Sequence, residues 1–236
     1  MSAGRKSWLR ECLDALLVAL VFAVFARSWV VQAFKIPTGS MEENLLVGDH
    51  ILVNKFVYGP TRYPWEAALL PSRPVRRGEV VVFKYPEDPG RDFIKRCVGL
   101  PGDRIEIADK LLLVDDEPLV ESGYAQFSDP VVYPESPAID SYYRIRDQFG
   151  PYDVPPDHYF CLGDNRDHSQ DSRYWGPIPR DYLKGRALLI YWSVRGADEA
   201  PAAAVTAHGP WWRRHGEALR RLTASTRWER AWKLVR

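Results

Sequence analysis

The chain has 236 residues, 46% of them hydrophobic, which leaves room for one large domain or two small ones with appendages and excludes a disordered or fibrous chain. Its 32 Lys and Arg oppose 31 Asp and Glu, so a net charge of +1 sets up no global field for nucleic acid or another polyanion. Cys12, Cys97 and Cys161 stand singly with no C-x-x-C spacing, which indicates neither a disulfide framework nor a zinc site, and no metal or cofactor is expected.

Residues 1–12 carry Arg5, Lys6 and Arg10 and read as a cytoplasmic N-terminus. Residues 13–34 are the candidate membrane span, apolar without interruption from Ala15 to Ala26, then broken by Arg27 and Ser28 before Trp29-Val30-Val31. A crossing needs roughly 20 apolar residues, so the span requires Asp14 at its edge and Arg27 snorkelling or near the other end. A cleaved signal, with Val24-Phe25-Ala26 or Val31-Gln32-Ala33 as an imperfect cleavage site, and a buried core helix are the other readings; an uncleaved signal anchor is preferred. The basic residues ahead of it place the N-terminus in the cytoplasm and the remaining chain outside.

Residues 35–118 read as the first part of a β-rich core. Ser40 precedes Glu43 at capping-box spacing, so one reading of Ser40 is a helix cap. His50 to Val57 reads as a strand, and Trp65 to Leu70 as an aromatic loop touching the membrane surface. Val80 to Phe83 and Asp92 to Val98 form a hairpin with a long turn, followed by short strands over Arg104 to Ile107 and Leu111 to Val114. Residues 119–156, rich in Pro, Tyr, Ser and Asp, read as an insertion between two parts of one core. The second part, residues 157–195, begins with the apolar Tyr159 to Leu162, runs through a polar loop from Gly163 to Gly176, and closes with Ala187 to Trp192. In residues 196–236 an Ala-rich linker precedes Trp211 to Arg236, with eight Lys or Arg against two Glu; it reads as an interfacial helix or as a solvated helix packed on the domain.

A serine hydroxyl is a poor nucleophile unless a positioned base takes its proton. His50, His158, His168, His208 and His215 are available, yet none stands in a context that marks it as that base, and no G-x-S-x-G surrounds Ser40. Lys95 is the better candidate. In a strand it shares a face with Phe93 and Cys97, and desolvation would leave a neutral amine able to accept the Ser40 proton. By itself a strand lysine is ordinarily a snorkelling surface residue, so the pair depends on its company.

That company consists of Ile36-Pro37-Thr38-Gly39-Ser40-Met41, Gly48-Asp49-His50-Ile51-Leu52-Val53-Asn54-Lys55, Arg77-Gly78-Glu79-Val80-Val81-Val82-Phe83, Phe93-Ile94-Lys95-Arg96-Cys97-Val98-Gly99-Leu100-Pro101-Gly102-Asp103 and Gly163-Asp164-Asn165-Arg166-Asp167-His168-Ser169-Gln170-Asp171-Ser172-Arg173. These five blocks, in this order, resemble the bacterial type I signal peptidases. The resemblance implies that Ser40 attacks the scissile carbonyl and that Lys95 is general base and then general acid. It also implies an oxyanion hole of Ser40 N–H and Thr38 Oγ, with Thr in place of the commoner Ser. By position Ser169 would orient the lysine amine, Asp171 and Arg173 would form a supporting pair, and Asp164 and Arg166 would be scaffold. Ile36 and Met41 would line small-residue pockets suited to Ala-x-Ala before the cut.

The fold implied is a mainly β protein, a β-rich catalytic core with an inserted smaller β region, an N-terminal transmembrane helix and a basic C-terminal tail. The implied partners are preprotein signal peptides and membrane lipid, with no nucleic acid, and the implied location is the bacterial inner membrane with the catalytic domain on its outer side; the oligomeric state is left open. Some relatives carry two spans where this chain has length for one before Ser40, and Cys97 beside the base is a further departure. A conjugative-pilin maturation peptidase of the same fold and a non-enzymatic envelope binding protein are the alternative functions, while self-cleaving repressors need a DNA-binding domain that the short segment before Ser40 does not provide.

Overall fold

A computed structural model of the chain describes residues 8–25, 31–58, 73–121, 123–195 and 223–235; the Trp65 to Leu70 loop and the Gly196 to Gly209 linker fall outside them. Within them the β-branched and aromatic runs become antiparallel strands, where such side chains fit a pleated surface. In chain order these are β1 (Val31–Lys35), β2 (Asp49–Asn54), β3 (Val80–Lys84), β4 (Asp92–Gly99), β5 (Arg104–Ala108) and β6 (Leu111–Val114). They continue with β7 (Glu117–Pro118), β8 (Phe149–Asp153), β9 (His158–Leu162), β10 (Ile178–Pro179), β11 (Leu183–Ser193) and β12 (Lys233–Leu234).

The larger sheet runs β1-β2-β11-β3-β4-β9-β10 with β12 also on β11, and the smaller one runs β7-β6-β5-β8. β11, 11 residues long, is the seam of the larger sheet. Its start pairs with β3, its remainder with β2, and bulges between Ala187 and Leu189 and between Ile190 and Trp192 curl the sheet. β3 is buried on both faces, with Val80 and Val82 in one apolar cluster and Val81 and Phe83 in another, which is why its sequence is apolar without alternation. β4 pairs with β3 from Asp92 to Arg96 but with β9 only from Arg96 onward, so its Asp92–Lys95 edge has no strand partner among the described residues.

The second unit begins earlier than the expected insertion at residue 119. β5 and β6 pair with β8 rather than with the larger sheet, so the smaller sheet extends from Arg104 to Asp153. Hydrophobic patterning marks a strand and one buried face but does not say which sheet it joins. A helix, Ser141–Asp147, capped by the Asp140 carboxylate accepting from Tyr142 N–H, sits within this unit. Phe160 on β9 and Val98 on β4 pack with Ile105 and Leu112 and lock the two sheets together.

The expected 13–34 span is also redrawn. The helix covers Trp8–Phe25, and from Val31 the chain is already β1, paired residue by residue with β2. No helix among the described residues is long and apolar enough to cross a membrane. Arg10, Glu11 and Asp14 occupy its first half, whereas the large apolar side chains from Leu16 to Val24 stand 56–70% exposed. Of the tail read as a helix from Trp211, residues 211–222 fall outside the described residues, and residues 223–225 are helical. Beyond them the chain leaves the helix: Thr226 bridges to Val194, Trp228–Arg230 form a 3-10 turn and β12 follows, because Trp232 and Val235 N–H groups donate to the β11 carbonyls of Ile190 and Leu188.

Phe160 is fully buried, 5.2 Å centroid to centroid from Phe149. Phe160→Ala should destabilise the domain by about 3–5 kcal/mol, measured by urea unfolding.

Candidate active site

The turn between β1 and β2 carries Ser40 inside a single 3-10 turn, Gly39–Met41. The residue at the capping position is Thr38, whose side chain makes no cap bond, so the capping-box reading of Ser40 does not hold. Met41 and Leu45, both fully buried, pin the turn to the core. Ser40 Oγ is thereby held 2.5 Å from Lys95 Nζ, near the middle of β4. Lys95 is 3% exposed, and Phe93 and Cys97 of the same face lie in one apolar cluster. Burial lowers the lysine pKa to about 8 against the opposing pull of Asp171, while Arg173 lowers it further and Asp164 raises it. A neutral amine at this distance can accept the hydroxyl proton.

The loop after β9 grips both members of the pair. Asp171 accepts from Gly163 N–H at 3.0 Å and from Arg173 through Nε and Nη2, both at 2.8 Å. Burial alone would raise the Asp171 pKa, but the Arg173 charge and hydrogen bonds outweigh it and keep the group a carboxylate. Arg173 also donates to the carbonyls of Arg146 and Arg166, which fixes the loop. Asp164 receives a two-pronged bond from Arg96 at 2.7 and 2.6 Å and a third from Asn44 Nδ2 at 2.8 Å. Asn165 donates its N–H to the Ser40 carbonyl at 3.1 Å and its side chain to the Gly39 carbonyl at 3.3 Å. Arg166 pairs with Glu121, which ties the loop to the segment after β7.

Three expected roles take a different form. Ser169 is 1% exposed, but its Oγ has no hydrogen-bond partner and does not reach Lys95. The hydroxyl is turned against Gly163, where a Cβ would lie 2.1 Å from it. Ile36 and Met41, 2% and 0% exposed, lie in the core beneath the turn and do not line the cleft beside Ser40. They belong there because the tight turn needs buried side chains on either flank of Ser40 to hold it.

The cleft, of about 790 Å³, is bounded by Thr38, Ser40 and Glu42 on one side, Arg91 and the free Asp92–Lys95 edge of β4, and Asn165 and His168. His168 Nδ1 lies 2.9 Å from Ser128 Oγ, His50 is held to the Gly48 carbonyl and His158 to the Pro156 carbonyl. His208 and His215 fall outside the described residues. Cys97 is fully buried, faces Cys161 across β4 and β9, and donates to the Gly99 carbonyl. Among the described residues no group of three His, Cys, Asp or Glu side chains is arranged to hold a metal ion.

Arg96, Asn44 and Asn165 carry the scaffold, yet sequence reasoning did not single them out. A signal existed for Arg96. Strand alternation puts it on the face opposite Lys95, and a buried arginine needs a carboxylate, which Asp164 supplies.

The family profile described as signal peptidase, peptidase S26, matches residues 9–192. The signal peptidase I of Pseudomonas aeruginosa is 39% identical over 179 residues, covering 70% of this chain and 63% of that protein. That of Pseudomonas fluorescens is 38% identical over 197 residues, covering 74% and 69%. That of Aquifex aeolicus is 30% identical over 240 residues, covering 83% and 89%. The chain therefore spans less than two thirds of the Pseudomonas aeruginosa relative's length.

Two outcomes are expected from this geometry. In Gly163→Ala the new methyl would meet Ser169 Oγ at 2.1 Å and the Ser40 carbonyl oxygen at 2.6 Å, so the variant should lose about 1–3 kcal/mol of stability in urea unfolding. Lys95→Met should raise the melting temperature near pH 7, because it removes a buried amine whose charged form the fold disfavours by about 3 kcal/mol. The unfolded chain binds the extra proton between the folded pKa of about 8 and the ordinary value of 10.5, so wild-type stability rises with pH there. The advantage of the variant in thermal unfolding should accordingly be full below pH 8 and shrink as the pH approaches 10.5.

Proposed function

The chain belongs to the signal peptidase family, peptidase S26, and on that footing we propose that it is a membrane-attached serine endopeptidase that removes signal peptides from exported preproteins. The observation that carries the reading is the 2.5 Å approach of Ser40 Oγ to a lysine amine held at a lowered pKa in an apolar site. Neutral Lys95 takes the hydroxyl proton as Oγ bonds to the scissile carbonyl carbon, and the carbonyl electron pair moves to oxygen. Ser40 N–H and Thr38 Oγ donate to that oxyanion. The tetrahedral intermediate collapses, the C–N bond breaks, and the Lys95 ammonium protonates the leaving amine. Water, deprotonated by the restored amine, then releases the signal peptide from Ser40.

The substrate lies extended along the unpaired Asp92–Lys95 edge of β4, adding a strand to the sheet and bringing its carbonyl to Ser40. The preference for small residues, as in Ala-x-Ala, rests on the family resemblance. Attachment to the membrane rests on the exposed apolar side chains of the N-terminal helix and on Trp228, Trp232 and Leu234, each more than 60% exposed. The placement of the N-terminus in the cytoplasm and of the catalytic domain on the outer side of the inner membrane rests on the family resemblance and on Arg5, Lys6 and Arg10 ahead of the apolar run, not on a described helix long enough to cross.

Detergent-solubilised protein incubated with a preprotein bearing an Ala-x-Ala site should produce a new N-terminus directly after the second Ala, identified by N-terminal sequencing. Ser40→Ala and Lys95→Ala should each reduce the rate at least about 10³-fold; a cut that survives either substitution contradicts the mechanism. The rate constant kcat/KM should rise with pH up to about 8, as Lys95 loses its proton, and level off above. That limb should persist in His168→Ala, whereas a limb near the ordinary histidine value that vanishes in this variant would assign the base elsewhere.

A further inference from the structure

Residues 223–235 take no part in the chemistry, yet they end directly behind the nucleophile turn. Arg230, 8% exposed, faces the fully buried carboxylate of Asp49. Its Nη2 lies 2.6 Å from Asp49 Oδ2, and its Nε lies 3.1 and 3.2 Å from the two carboxylate oxygens. Nη2 also donates to the main-chain carbonyl of Asn44 at 2.8 Å. Asp49 in turn accepts from Leu46 N–H at 2.8 Å. One guanidinium and one carboxylate therefore hold both ends of the Asn44–Asp49 segment that follows Ser40. Arg227 adds a bond to the Val47 carbonyl in the same segment at 3.1 Å.

The segment passes this restraint forward. The Asn44 side chain donates to Asp164 at 2.8 Å and to the Tyr124 carbonyl at 3.0 Å. Asp164 is held by Arg96, the neighbour of Lys95 on β4, and the next residue, Asn165, donates to the Ser40 carbonyl. A continuous set of bonds thus runs from the C-terminal segment to both reacting residues. The planar fork of arginine can engage Asp49 and the Asn44 carbonyl together, a geometry that a lysine ammonium does not reproduce.

We infer that Arg230, through Asp49 and Asn44, is a positioning residue for the Ser40–Lys95 pair, so that the C-terminal segment is part of the catalytic apparatus rather than an appendage. This rests on the Ser40–Lys95 reading. A failure of that reading appears as activity retained in Ser40→Ala, and a failure of this one as wild-type turnover in the Arg230 variants.

The test uses the full-length protein in detergent with the preprotein substrate. A misplacement of about 1 Å can lower a rate on the order of 10²-fold, so Arg230→Gln should lower kcat by about 10- to 100-fold while KM stays within about twofold. Arg230→Lys should recover only part of the loss, and the exposed Lys233→Gln should match wild type. Thermal unfolding of each variant gives the folded fraction at the assay temperature. A folded Arg230→Gln with kcat within twofold of wild type overturns the inference, and so does a loss of kcat that only tracks the unfolded fraction. If Arg230→Gln does not fold, Arg230→Lys and Asp49→Asn are judged by the same criteria. Failure of all three to fold assigns the pair to stability alone and overturns the inference as well.

Discussion

The site depends on keeping the Lys95 amine dry. A lysine in water is protonated at neutral pH and cannot take a proton from serine, so the fold must make the charged form unfavourable without unfolding itself. β3 and β4 do this by burying both faces of a hairpin, with Phe93 and Cys97 flanking the stem of Lys95. The main threat to the neutral amine is electrostatic. Asp171 is fully buried nearby and would draw a proton back to the lysine. Arg173 occupies the carboxylate through two hydrogen bonds, so Asp171 can orient the loop while its charge is largely spent on the guanidinium.

Around that pair the structure places buried ions in compensated couples. Arg96 with Asp164, Arg173 with Asp171 and Arg230 with Asp49 are each almost wholly removed from solvent. Such pairs add little net stability, because desolvation offsets most of the attraction, but each has one favourable arrangement. The segment after β7 joins the same frame. Gln126 bonds through its backbone to Asp164 and Arg166, and Lys110 and Arg146 enclose Asp167 from the smaller sheet. The smaller sheet therefore braces the catalytic loop rather than standing apart from it.

How much of this was legible in the sequence depended on whether the signal was local. Ser40 and Lys95 stand in contiguous motifs, and the short β-branched apolar run of β3 between turn signals fits a strand buried on both faces. The boundary between the two sheets was not legible, since the hairpin of β5 and β6 has the same alternation whichever sheet it joins. The roles of Asn44 and Arg230 were hidden because a polar residue's burial depends on distant partners, and for Arg96 strand alternation gave the face but not the partner, Asp164. The basic, Trp-bearing tail fits an interfacial helix and a solvated one equally by composition, and composition does not say that Arg227 and Arg230, among its described residues, turn inward against carbonyls and a carboxylate. Ser169 was placed by its motif, but the direction of a hydroxyl is decided by the room beside Gly163, which no motif encodes.

Those distant partners also determine when the pair can exist. Ser40 and Lys95 are 55 residues apart, Asn44 and Asp164 are 120 apart, and Asp49 and Arg230 are 181 apart. Contacts of such separation form late, because the loops they close must be ordered before the contacts reward them. β11 is the element that joins them, since it pairs with β2 behind the nucleophile, with β3 beside the base strand and with β12 of the C-terminal segment. β11 thus sets the frame, and the direct links are local: Asn165 bonds to the Ser40 and Gly39 carbonyls, and Asn44 reaches Asp164, which Arg96 holds beside Lys95.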